Sequence, residues 1–119
     1  MELLRQAVRS LDRHKAEDLC VLRIAEVSSL AEYFVIAGGT SSTHVRALAD
    51  YLQEELAREG EHPLRTEGYA SGSWALLDYG RIVVHLFTPE TREFYNLERL
   101  WQDGIPVPVD QLLDGSEQQ

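Results

Sequence analysis

The stretch WALLDYGRIVVHLF, residues 74–87, decides the architecture of this chain. Trp74 to Leu77 and Ile82 to Phe87 have the branched and aromatic make-up of strands, and Asp78-Tyr79-Gly80 between them is turn chemistry, so the stretch predicts a hairpin. Side chains alternate along a strand. Trp74, Leu76 and Asp78 therefore share one face, and Ala75, Leu77 and Tyr79 share the other. Thr88-Pro89 then opens a helix, with a capping hydroxyl followed by proline where its missing amide costs nothing. Phe94, Leu97, Leu100 and Trp101 recur as its apolar stripe, and Gly104 and Pro106 stop it. A core has no use for an acid, a histidine and several aromatics around one hairpin, so part of this stretch is expected to recognise something.

Upstream, Gly38-Gly39-Thr40-Ser41-Ser42 separates a strand-like run, Glu32 to Ala37, from a helical one carrying Val45, Leu48, Ala49, Leu52 and Leu56. Ser41 or Ser42 can cap that helix, Glu54 and Arg58 form a favourable i,i+4 pair, and Gly60 suits a left-handed stop. Leu19 to Ile24 is a second nearly continuous apolar run. Such runs predict central strands covered on both faces. Leu3, Leu4, Ala7, Val8 and Leu11 form the stripe of an opening helix, and Pro63 to Glu67 reads as a short polar edge strand. The order is helix, two strands, helix, three strands, helix. It predicts a single α/β domain, a mixed five-stranded sheet packed by helices. From Pro106 to Gln119 the chain reads as an extended tail.

The chain has 119 residues, enough for one domain, and a net charge of −9 from eleven basic and twenty acidic side chains. Counterion release from a phosphate backbone requires clustered Lys and Arg, so little direct nucleic-acid contact is expected. A basic protein surface suits the charge better, although solubility alone also accounts for it. No apolar run nears the roughly 20 residues of a membrane span, and the charged opening MELLRQAVRS is no secretory signal. A cytoplasmic location is the default. Cys20 alone excludes an internal disulfide and fits a small buried strand residue.

Several motifs have plain structural readings beside functional ones. The Gly38-to-Ser42 segment can present amides to a phosphate, yet it lacks a Walker lysine and spaced glycines, and a turn with an N-cap explains it as well. His14, His44, His62 and His85 show no metal-ligand spacing, so no metal or cofactor is expected, and His85 reads as a satisfied strand histidine. Glu90, Glu93 and Glu98, interleaved with Arg92 and Arg99, form a solvated face or an acidic rim. Trp74 is either core or an interface anchor. Asp78 either closes the turn through its own backbone or meets a basic side chain.

Gly72-Ser73-Trp74-Ala75-Leu76-Leu77-Asp78-Tyr79-Gly80, then Val83 to Phe87, then Arg92 to Trp101, resemble the Iojap, or ribosomal silencing factor, family. Asp18-Leu19, Tyr33 to Ser41 and Glu67-Gly68 support the match, which extends from the first helix to Pro108. The resemblance implies a family domain over residues 1–108, with 109–119 a flexible tail, and a fold related to nucleotidyltransferases. It implies a translation repressor that docks on ribosomal protein fourteen of the large subunit and sterically blocks joining of the small subunit. Homodimers are common in the family. On this resemblance Trp74, Leu76 and Asp78 form the partner-binding surface, with Glu67 and Tyr79 beside them. Arg81 departs from the family, where an acid is usual. The alternative is a nucleotide-binding or nucleotidyltransferase-like enzyme. That chemistry needs closely spaced carboxylates for two metal ions; Gly39-Thr40-Ser41 is present, but no predicted apolar strand carries an Asp-x-Asp or Glu-x-Asp pair. The expectation is a non-enzymatic protein.

Overall fold

The computed structural model describes residues 2–26, 29, 31–95 and 104–113. Helix α1 (Glu2–Arg13) leads to strands β1 (Glu17–Arg23) and β2 (Tyr33–Gly38), then helix α2 (Ser42–Ala57). Strands β3 (Arg65–Glu67), β4 (Trp74–Asp78) and β5 (Ile82–Phe87) follow, then helix α3 (Pro89–Tyr95), strand β6 (Ile105–Val107) and a short helix α4 (Val109–Leu113). One sheet holds all six strands in the order β3-β4-β5-β2-β1-β6. Among the described residues only the central β2–β5 pair is parallel; the other pairs are antiparallel.

The local signals act as their chemistry dictates. Ser41 caps α2, its hydroxyl accepting from the His44 amide at 3.2 Å. Arg58 and Glu54 pair at 3.4 Å, and Gly60 takes the left-handed φ of +83° just beyond the helix. Thr88 caps α3 by accepting from the Thr91 amide. The hairpin closes as Asp78 Oδ1 accepts from the Gly80 amide at 2.9 Å, with Gly80 at φ +87°. The 12 residues of α1 bury Leu3, Leu4, Ala7, Val8 and Leu11, the stripe expected for that helix.

The sheet has six strands, not five. Ile105–Val107 pairs with β1, placing Pro106 opposite Leu22 on the outermost strand. Proline is tolerated there because its missing N–H faces no further strand. The segment from Pro106 onward, which reads as an extended tail, thus carries β6 and α4 as far as Leu113. Leu112 is buried, and Arg5 donates to the Gln111 carbonyl at 3.1 Å. Residues 114–119 lie outside the described residues, as do Leu97, Glu98, Arg99, Leu100 and Trp101.

The two faces of the sheet carry different cores. Val21, Val35, Ala37, Ala75, Leu77, Tyr79, Ile82, Val84 and Leu86 pack beneath α1 and α2. On the opposite face Leu22, Ile24, Ala31, Ile36, Val83 and Phe87 form a second, smaller cluster, with Cys20, Phe34 and Leu76 at its margin. Among the described residues no helix is long and apolar enough to cross a membrane.

Candidate functional site

The pairing registers lay out the second face in rows running across the strands. One row is Glu67, Leu76, His85, Ile36 and Cys20, from β3 through β4, β5 and β2 to β1. On one side lies Trp74, Phe87 and Gly38; on the other lie Arg65, Asp78, Val83, Phe34 and Leu22. Exposure is greatest at the β3–β4 end, lowest in the middle of the sheet, and rises to half-buried again at Phe34 and Cys20. Glu67, Arg65 and Trp74 are exposed, Leu76 and Asp78 half-buried, and His85, Phe87, Val83 and Ile36 buried. The exposed members of these rows therefore stand at one corner, where β3 and β4 end the sheet.

Trp74, Leu76, Asp78 and Glu67, singled out from the sequence, come together at this corner. Trp74 is 38% exposed, its inner side stacked on Phe87 at 5.3 Å between ring centroids. Trp74, Leu76, Glu67 and Gly68 line a shallow hollow of about 140 Å³. Tyr79 is not part of it: 6% exposed, it lies in the core beneath the helices. Alternation along β4 already puts Tyr79 with Ala75 and Leu77, on the face opposite Trp74. Burial pushes its phenol up to about 12.

Two features of the corner escape sequence inspection. Arg65 of β3, opposite Asp78 of β4, bonds Asp78 Oδ2 at 3.4 Å and also pairs with Glu67. Both carboxylates at the corner thus already hold one cation, and Asp78 closes the turn with its other oxygen. Gly68, at φ +78°, runs so close to β4 that an added Cβ would stand 1.9 Å from the Trp74 carbonyl oxygen. A side chain here would push the strand that carries Trp74. The loop between them is tied to α2, where Arg46 donates to the Ala70 carbonyl and Tyr69 to Asp50.

The remaining candidates have structural roles. Thr40 donates its amide to His44 Nδ1 at 2.9 Å, and His44 Nε2 reaches the His14 carbonyl at 3.0 Å. His14 stacks on Tyr51 and bonds Glu55 at 2.8 Å, while Arg13 takes the other Glu55 oxygen at 2.5 Å. Burial opposes the charge on Glu55, but these bonds outweigh it and hold its carboxyl below the usual range. Gly39 is explained by packing, since a Cβ there would meet Val45 at 2.8 Å. Cys20 is half-buried, and burial raises its thiol pKa against the pull of Arg92. Among the described residues no group of three or more His, Cys, Asp or Glu side chains could hold a metal ion. His85, expected to be a satisfied strand histidine, is not satisfied: it is buried, and neither ring nitrogen has a hydrogen-bond partner among the described residues.

The family model "Ribosomal silencing factor during starvation" matches residues 1–119. The chain belongs to the ribosomal silencing factor family. It is 38% identical over 109 residues to the ribosomal silencing factor RsfS of Halalkalibacterium halodurans, covering 92% of this chain and 93% of that one. It is also 37% identical over 97 residues to the mouse protein named mitochondrial assembly of ribosomal large subunit protein 1, covering 79% of this chain and 42% of that one. The crystal structure of a protein from Chromobacterium violaceum superposes with a TM-score of 0.82 at 34% identity, covering 89% of this chain and 88% of that one. The motifs that carry the family resemblance, centred on residues 72–80 and 83–87, are those that build β4, its turn and β5.

Proposed function

We propose that this protein represses translation by binding the large ribosomal subunit through ribosomal protein fourteen, where its bulk blocks the small subunit from joining. The observation that carries this reading is the corner itself: a half-exposed tryptophan and a leucine flanked by carboxylates, on a chain of net charge −9. Large aromatic anchors dominate protein interfaces, and acidic rims steer an acidic protein toward basic protein patches and away from RNA. The family membership and the names of the relatives support the ribosomal setting.

Trp74 and Leu76 supply the desolvated centre. Glu67 and the accessible side of Asp78 meet Lys or Arg of the partner. Tyr79 acts from behind, by filling the core under β4. The protein works without catalysis, in the cytoplasm, and self-associates as a homodimer. Its fold is that of a nucleotidyltransferase without the catalytic carboxylates, so ATP with Mg²⁺ should give no calorimetric heat.

The deciding experiment is co-sedimentation of Trp74→Ala with large subunits, beside light scattering of subunit joining. Loss of a central anchor costs about 2–4 kcal/mol, roughly 30- to 1000-fold in affinity. The variant should keep its circular dichroism yet neither sediment with the subunit nor slow joining. An unfolded Trp74→Ala would place Trp74 in the core, and wild-type protein that leaves joining unchanged would remove the function.

A further inference from the structure

Among the described residues two side chains near β4 have buried polar atoms without a hydrogen-bond partner, Tyr79 on the helix side of the sheet and His85 on the side of the corner. His85 stands on β5 between Leu76 of β4 and Ile36 of β2, 8% exposed. The Phe34 ring meets it edge-on at 4.8 Å between centroids, the Phe87 ring lies parallel at 6.1 Å, and the Trp74 ring is tilted at 6.5 Å. Within this apolar enclosure Nδ1 and Nε2 are both buried and unpartnered among the described residues. Burial pushes the imidazole down to about 4, so near neutrality one nitrogen is a donor and the other an acceptor.

Two unmet polar atoms in an apolar site cost stability, and a phenylalanine would satisfy the same aromatic surroundings without that cost. Packing therefore does not account for a histidine at this position. A buried polar group kept at the expense of stability is the signature of a site that is completed by something else. Its place is suggestive. Leu76 is its immediate neighbour in the row and also lines the hollow, together with Glu67, Gly68 and Trp74.

We propose that His85 is a recognition residue of the docking corner, accepting a hydrogen bond from an N–H donor of the basic protein segment that Trp74 and Leu76 grip. The proposal rests on the corner being the ribosome-binding surface. Seating the partner displaces the Leu76 side chain, and the donor enters from the Glu67 side. The carboxylates choose a cationic partner, and His85 tests whether a donor stands at the right depth.

The test compares wild type, Trp74→Ala, His85→Phe and His85→Gln for melting temperature and for affinity toward purified large subunits. His85→Phe should melt above wild type and bind about tenfold more weakly, while His85→Gln, which keeps an acceptor, should recover most of the affinity. Opposite movement of stability and binding is something a purely structural histidine cannot produce. Binding by His85→Phe within twofold of wild type would overturn the proposal, as would a fall in both melting temperature and affinity. If His85→Phe does not fold, His85→Leu is read by the same two criteria. Absence of binding by wild type would remove the docking reading and this inference together, whereas binding lost only in Trp74→Ala would remove this inference alone.

Discussion

Strand β4 shows two surfaces built from alternate residues of one segment. Ala75 and Leu77 point into the core beneath α1 and α2, where they are essentially inaccessible; Trp74 and Leu76 point the other way and stay partly open. The same five residues thus serve packing on one side and an accessible surface on the other. The difference does not come from hydrophobicity, since Leu76 and Leu77 are the same residue type. It comes from what lies across from each face, and from how near the sheet edge the strand runs.

That contrast can be broken most forcefully from the inside. Leu77→Ala removes a buried side chain and leaves a cavity under the helices, at a cost of about 2–5 kcal/mol. A urea titration should show the midpoint shift, and any loss of ribosome binding should follow the loss of folded protein. Gly68→Ala tests the outside. Its Cβ meets backbone rather than a flexible side chain, so β4 must move, and near-ultraviolet circular dichroism of the tryptophans should change while the core signal in the far ultraviolet persists.

Acid should weaken the two regions together. The folded pKa of His85, about 4, lies below that of a free imidazole, so the unfolded chain takes up the proton first. Stability should fall as pH drops from about 6.5 toward 4, by up to about 3 kcal/mol in all. The rings of Phe34, Phe87 and Trp74 around it carry no charge that would oppose this. Glu55 acts in the same direction at lower pH, since its depressed pKa means that the stabilisation from His14 and Arg13 is lost as it protonates. Denaturant midpoints measured from pH 7 to 4 should decline, and His85→Phe should flatten the upper part of that decline. A flat wild-type profile over that range would contradict the burial of a neutral imidazole.

The smallest effect concerns Arg65. It already occupies Glu67 and Asp78, so a basic partner has to compete with it. Arg65→Gln should tighten large-subunit binding by about two- to fivefold at low salt, an advantage that shrinks as salt rises. Weaker binding would instead make Arg65 itself a contact of the partner.

Much of this is written locally. The Thr88 and Ser41 caps, the Gly60 stop, the Asp78-to-Gly80 turn and the alternation along β4 depend on residues within a few positions of one another, and local chemistry fixes them. The family motifs at residues 72–80 and 83–87 reinforce the same elements. Other features depend on distant partners. β6 is three residues long and contains a proline, so nothing in its own pattern announces a strand; it exists because β1 offers an open edge, with Leu22 facing Pro106. α4 is held by burial of Leu112 and by a bond from Arg5. Arg65 reads as an ordinary exposed cation until β3 sets it opposite Asp78. His85 looks like a satisfied strand histidine until the rings of Phe34, Phe87 and Trp74, from three strands, close around it.

The sequence by itself determined the α/β class, the family, the hairpin and which β4 residues share a face, because those follow from periodicity and short-range chemistry. Only the tertiary structure decided that Trp74, Leu76, Asp78 and Glu67 meet at one corner, that Tyr79 lies behind it, and that His85 is buried without a hydrogen-bond partner among the described residues. Those facts depend on strand order and register, which join residues from Cys20 to Glu67 into a single row. A residue's own neighbours in the chain carry no record of that row.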